Sequence, residues 1–469
     1  MPRCVALGPE DTTVRPVGFI GAGYLIYLTQ AGGPAGCSDL RRIGCGLGID
    51  YIVDFTAERM TWAVFTSHHR LGPRRRSGRP RGGRHEREQT MTTQASAAAG
   101  LEGVVATSSK LCYLDGQRGV LAYCGHDIHD LARQATFEEV CYLLWHRRLP
   151  TRVELGDLQT EFARARPLPA AIVRMMRSLP SGHAMDAVRT LVSGLAHHDP
   201  DAGDDSPAAS LRKSVRLTAQ VGTLVATLGR LSAGGGQIDP DPVLGHAANF
   251  LYMLTGDRPG ALASRAFDVA LTLHADHELN ASTFAARVAA ATLTDLHSTV
   301  VAGVATLKGP LHGGANAEVM KMLLAIGEDA DDKRVDTTIR GMLAHKQKVP
   351  GFGHRVYRTE DPRATHLRQM SRDLGEQAGN RRWFEMSQRI EAVMQEDTGI
   401  HANVDFYSAS TYHTLGIAAE LFTPIFVVSR IAGWTAHVLE QYANNRLIRP
   451  RAEYTGPEYP QTFVPLAQR

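Results

Sequence analysis

Long apolar runs are missing from this chain of 469 residues: no stretch reaches about 18 apolar residues, so no membrane span is expected. Cysteine is scarce. The six present (Cys4, Cys37, Cys45, Cys112, Cys124 and Cys141) form no CxxC pair. That spacing fits neither a zinc site nor a disulfide scaffold, and it predicts a reduced, cytoplasmic compartment. Charge of one sign is also lacking. A net charge of +3 makes no whole-chain case for a nucleic acid or a membrane as partner. Period-two alternation long enough for a central sheet is absent, as is any repeat at a fixed period. What remains is the composition of an ordinary globular protein, 43% hydrophobic and 21% charged, with length for two or three domains.

The composition changes near residue 91. Before it the chain shows no sustained helical or strand period, and "RLGPRRRSGRPRGGRHEREQ" (residues 70–89) is too polar to offset the entropy of ordering. Glu10, Asp11 and several prolines argue against a secretory signal, and the scattered acids argue against an organellar leader. Arg74, Arg75, Arg76, Arg79, Arg81 and Arg84 would suit a nucleic-acid-binding arm. The favoured expectation is that residues 1–90 are disordered or are upstream sequence outside the native protein. The protein would then start at Met91, with 91–103 a flexible lead-in. "GFIGAGYLI" (18–26) has a G-x-G but Ile26 where a third glycine belongs, so it reads as a chance cluster and not a dinucleotide loop.

From about residue 104 the apolar spacing is helical. Thr136 and Glu139 form a capping-box pattern ahead of Val140, Leu143 and Leu144, and Pro150 is expected to stop that helix. Further helices are predicted over 210–231, over 282–309 as one long Ala/Val/Thr-rich element, and from Pro424 onward with Thr423 as cap. The expected fold class is all-α.

Four stretches hold candidate chemistry. "LHADHELNAS" carries His274 and His277, whose spacing admits a metal reading; no second ligand pair accompanies them, so no metal is expected. "LKGPLHGGANAEV" places His312 beside free N–H groups at a helix start, with Asn316 as the expected cap. "KVPGFGHRVYRTEDPR" (348–363) sets His354 after Gly351 and Gly353 and follows it with Arg355, Arg358 and Arg363. "HANVDFYSAS" puts Asp405 between Val404 and Phe406, where a carboxylate is partly desolvated and becomes a better base. Two loop histidines, one such carboxylate and several arginines suit removal of a proton next to a carbonyl and addition to a second carbonyl on an anionic substrate. Arg430, inside an apolar helix with Phe426 and Trp434 one turn either way, needs a substrate carboxylate or an acidic partner.

At these residues the chain resembles the citrate synthase family, in its compact bacterial form, from about residue 104 to 457. "GFGHRVYRTEDPR", "GPLHGGAN", "HADHELNAS", "NVDFYSA" and "RIAGWTAHVLEQ" carry the resemblance. It implies a cytoplasmic homodimer of a two-domain helical fold. A large domain would take 104–312 and 411–469 and a small mobile one 313–410, with the site in the cleft. The implied reaction condenses acetyl-CoA with oxaloacetate and hydrolyses citryl-CoA, with acetyl-CoA as co-substrate and no permanently bound cofactor. The resemblance casts Asp405 as the base, His312 as donor to the thioester carbonyl and His354 as activator of the ketone. It gives oxaloacetate to His277, Arg363, Arg430 and Arg449, the last from the partner subunit. It gives coenzyme A to Arg358 and to the loop of Lys348, Val349, Gly351 and Gly353. The same scaffold serves 2-methylcitrate synthase with propionyl-CoA, which these motifs do not separate. From other classes, a non-catalytic helical protein and a nucleic-acid binder acting through the arginine tract are the competing readings.

Overall fold

The structure is a computed structural model. It describes residues 99–101 and 103–469, together with the backbone of five strands nearer the N-terminus. Those strands form one compact unit. Val14–Ile20 pairs antiparallel with Tyr24–Thr29, and Arg41–Cys45, Ile49–Thr56 and Arg59–Thr66 form an antiparallel meander. Each strand pairs with its sequence neighbour, the least costly pairing in loop-closure entropy. The described residues on either side of Gly21 and Gly23 are strands, whereas a dinucleotide loop would lead from strand to helix. The arginine-rich segment 70–89 and the start at Met91 lie outside the described residues.

The second unit is predominantly helical. Its longest apolar helix, Phe422–Ala443, is packed by Phe137–His146, Pro207–Ser232, Ala261–His274, Ala281–Ala290 and Leu296–Leu307. By length and composition the segment Ala419–Ala443 would suffice to cross a membrane, but its whole apolar window is buried inside the bundle, which makes it a core helix. Close approach is what its small residues provide: a Cβ on Gly433 would come within 2.3 Å of the Ala275 carbonyl oxygen. Trp434, with no accessible surface, contributes about 3 kcal/mol by its burial.

A smaller bundle contains Ala315–Ile326, Asp332–Ala344, Arg382–Thr398 and Val404–Thr414, with Pro362–Gln377 packed on both bundles. A cleft separates the two bundles. In the larger one a short antiparallel sheet (Cys112–Asp115, Val120–Tyr123, His126–Asp127) adds to the all-helical expectation. Its strands are too short to leave a period-two signature. Its turn nevertheless matters for the site, because Gly116 accepts the Arg358 N–H at 2.8 Å.

Local expectations divide. The Thr136–Glu139 capping box is present. That helix ends at His146, where Arg147 turns left-handed (φ 59°), ahead of Pro150. The single helix predicted over 282–309 is two, because Leu293 adopts φ 62° and Asp295 caps a new start through the Ser298 N–H. Thr423 is not a cap. It lies within the helix, and its hydroxyl donates to the Gly313 carbonyl at 3.0 Å, tying the His312 loop to the central helix. Asn316 is not a cap either: Gly314 holds that position, and Asn316 sits buried in the first turn.

Candidate active site

The quoted loop reaches the base by backbone pairing. Gly351 (φ 81°) and Gly353 (φ 79°) are both left-handed. The Gly351 carbonyl accepts the Asn403 N–H at 2.9 Å, Gly353 N–H donates to the His401 carbonyl at 3.0 Å, and Asn403 Nδ2 donates to the Gly353 carbonyl at 2.9 Å. Asn403 also caps the helix Val404–Thr414 through the Asp405 N–H. One asparagine thus fixes His354 relative to Asp405. A Cβ on Gly351 would lie 2.8 Å from both Phe406 Cδ2 and Val319 Cγ2. Gly351→Ala is therefore expected to cost about 2 kcal/mol from backbone strain alone, read as a lower chemical-denaturation midpoint. An unchanged midpoint would contradict the packing described.

Asp361 ties this unit together further. It caps Pro362–Gln377, accepts from the Val404 N–H at 3.1 Å and pairs with Arg363 at both oxygens, at 2.9 and 2.8 Å. Burial opposes the Arg363 charge, and the Asp361 carboxylate more than offsets it. Burial likewise pushes Asp361 up, and Arg363 overcomes it so that the acid stays ionised. Arg363 Nη1 keeps no hydrogen-bond partner among the described residues.

The histidine tautomers follow from their donors. Val356 and Tyr357 N–H groups both donate to His354 Nδ1, at 3.0 and 3.2 Å, so Nε2 carries the proton. The Ser282 N–H donates to His312 Nε2 at 3.3 Å, with Ser282 Oγ 2.8 Å from the same nitrogen, so the His312 proton is on Nδ1. Trp434 Nε1–H holds that serine from the central helix at 3.1 Å. Burial, aided by Arg430 for His312 and by Arg363 for His354, lowers each imidazole to about 4. Both are neutral donors at pH 7. His277 Nε2 lies 3.2 Å from the Tyr357 hydroxyl, and its ring centroid is 5.3 Å from that of His354; burial, then Arg363, pushes its value well down.

Asp405 behaves oppositely. Burial raises its carboxyl to about 6, with Arg363 pulling down, Asp361 pushing up and Arg430 pulling down. Arg430 is 1% exposed, donates through Nε to the His274 carbonyl at 2.7 Å and lies 4.8 Å over the Phe426 ring. Burial lowers it to about 10, and Asp276 is the strongest of the groups that oppose this. Its two terminal nitrogens have no partner among the described residues. The field of this one cation reaches His312, His277 and Asp405.

His312, His354, Asp405, His277, Arg363 and Arg430 are therefore brought together. Arg358 and Lys348 are exposed, Val349 is buried, and Arg449 is exposed on the extended C-terminal segment. His274 bonds the Ala270 carbonyl through Nδ1, and no group of three or more His, Cys, Asp or Glu gathers as a metal set among the described residues. Tyr357, Asp361, Ser282 and Asn403 stand in the quoted motifs or beside them, but sequence reasoning gave them no role.

Comparison with known proteins adds to this geometry. Residues 100–451 match the family described as citrate synthase, C-terminal domain. Citrate synthase 2 of Bacillus subtilis strain 168 is 50% identical over 376 residues, covering 80% of this chain and 100% of that protein. A 2-methylcitrate synthase of Shewanella oneidensis is 41% identical over 375 residues, covering 79% of this chain and 98% of that one. The crystal structure of citrate synthase from Pyrobaculum aerophilum superposes with a TM-score of 0.74 at 40% identity, covering 79% of this chain and 95% of that chain.

Proposed function

This chain belongs to the citrate synthase family and condenses acetyl-CoA with oxaloacetate, and on that premise we propose that Asp405, His312 and His354 carry the reaction. Asp405 takes a proton from the acetyl methyl group. His312 Nδ1–H donates to the thioester oxygen as it becomes an enolate, and His354 Nε2–H polarises the ketone of oxaloacetate. The methyl carbon bonds to the ketone carbon, and water then cleaves the thioester of citryl-CoA to give citrate and free CoA. Arg430, Arg363 and His277 hold the oxaloacetate carboxylates. Arg358, Lys348, Val349 and the backbone of Gly351 and Gly353 line the coenzyme.

One observation carries this reading: a buried guanidinium with open terminal nitrogens, Arg430, stands among two neutral imidazole donors and a carboxyl raised to about 6. Thiol release with oxaloacetate and each acyl-CoA tests it. Release that needs oxaloacetate and is faster with acetyl-CoA than with propionyl-CoA is expected. Equal or faster turnover of propionyl-CoA would favour the 2-methylcitrate reading, which the Shewanella relative keeps open; one methyl group is worth about 1–3 kcal/mol.

The large domain (104–312 and 411–469) and the small one (313–410) close over the substrates, with His312 and Asp405 near the hinges. The compact bacterial form is supported by the full coverage of the Bacillus relative. The free thiols Cys112, Cys124 and Cys141 suit the cytoplasm. The protein acts as a homodimer in which Arg449 enters the partner's site. Exposed Leu447, Tyr454, Tyr459 and Phe463 around that arginine support this, since such apolar surface on an extended segment is normally covered by another chain. Co-refolding an inactive Arg449→Ala variant with an inactive Asp405→Asn variant is expected to restore part of the activity. Hybrids as dead as their parents would count against a shared site.

A further inference from the structure

Behind the oxaloacetate pocket runs a buried polar chain that the reaction above does not use. Asp276 has no accessible surface; its Oδ2 lies 3.2 Å from His437 Nε2, and its Oδ1 has no partner among the described residues. His437 Nδ1 lies 2.9 Å from Arg287 Nη1. Arginine only donates, so this nitrogen accepts and His437 Nε2–H donates to Asp276. Arg287 donates also to Glu440 Oε2 at 2.8 Å and to Gln441 Oε1 at 3.3 Å. Glu440 Oε1 accepts the Lys110 N–H at 2.9 Å, which anchors the outer end on the segment leading into the small sheet.

We propose that Asp276 and His437 are positioning residues for the oxaloacetate clamp, forming the inner end of a chain Asp276–His437–Arg287–Glu440 that aims Arg430 and seats His277. The inference rests on reading Arg430 as a carboxylate clamp. Two features carry it. The first is geometric. Tyr123 donates to the Asp276 carbonyl at 2.9 Å and accepts its N–H at 3.2 Å, and Gly433 N–H donates to the Ala275 carbonyl at 3.1 Å. Asp276 is thereby fixed to the small sheet, while Ala275 through Gly433 and the Asp276 side chain through His437 tie the same segment to the helix that carries Arg430. The second is electrostatic. Among the described residues Arg430 makes no carboxylate hydrogen bond, and Asp276 is the anion that does most to keep its charge against burial. Tyr123 and Cys112 from the small sheet also favour that charge, and Arg363 opposes it. His274, His277, His312 and Asp405 complete the titratable groups within its field.

The test is the equilibrium affinity for oxaloacetate at neutral pH, followed by intrinsic fluorescence on the full chain. Asp276→Asn keeps the shape and removes the charge. It is expected to weaken oxaloacetate about tenfold at neutral pH, with the KM for acetyl-CoA unchanged. His437→Leu is expected to weaken oxaloacetate too, whereas His437→Gln, whose amide accepts from Arg287 and donates to Asp276, recovers most of the loss. Native-like Asp276→Asn with affinity within about twofold of wild type overturns the proposal. Should that variant not fold, equal affinities for His437→Leu and His437→Gln overturn it. Arg430→Gln separates the two levels: full oxaloacetate affinity there overturns the clamp itself, while its loss beside an unaffected Asp276→Asn overturns only the positioning role.

Discussion

Replacing Asp405 with asparagine is expected to lower kcat about a thousandfold while oxaloacetate affinity stays near wild type. The amide fits the same space in the first turn of Val404–Thr414 and leaves the Asn403 cap untouched, because Asn403 bonds the Asp405 backbone and not its side chain. What disappears is the carboxylate, and His312 and His354 cannot replace it as base, since each already spends its lone-pair nitrogen on N–H donors. The unmodified protein should show the same dependence by titration. Because burial raises Asp405 to about 6, kcat/KM for acetyl-CoA should be flat above that pH and fall tenfold per unit below it as the carboxylate takes up a proton. The histidines, at about 4, contribute nothing to that limb. An Asp405→Asn protein retaining more than a tenth of wild-type turnover would remove the assignment of the base.

His312→Ala should be the second most damaging change, with kcat reduced about 300-fold and the KM for acetyl-CoA altered little. A neutral donor is worth most where negative charge develops, and His312 Nδ1–H is oriented for that by the contact of its other nitrogen with Ser282. Steady-state kinetics distinguish this from loss of packing: a structural defect would raise both KM values and lower the melting temperature together. A variant that loses binding of acetyl-CoA but keeps turnover at saturation would contradict the role given to the donor.

How much of this was legible beforehand depended on the range of the interactions. The helical class showed in the apolar period, and the Thr136–Glu139 box was readable because both partners lie within one turn. The break at Leu293 was not: nothing in an Ala/Thr-rich run marks a non-glycine left-handed residue until Asp295 is seen capping the next helix. The small sheet escaped because its strands are two to four residues long. In the candidate site, motif chemistry singled out His312, His354 and Asp405. Their supports were not, since Ser282 reaches His312 from 30 residues away and Asn403 reaches Gly353 from 50. Asp276, adjacent to a quoted histidine, acquires meaning only beside His437, 161 positions further on.

The anchorage of the two loops has a consequence for the order of events. His312 hangs from the central helix through the Thr423–Gly313 bond, the same rod that bears Arg430. Asp405, His354 and Arg363 form a second cassette, riveted by Asn403 and Asp361. In the proposed domain closure these bonds hold the distances within each assembly, while the gap between Asp405 and His312 spans the two. On the proposed roles, a thioester bound before closure meets half of the apparatus, which protects its acyl group from water.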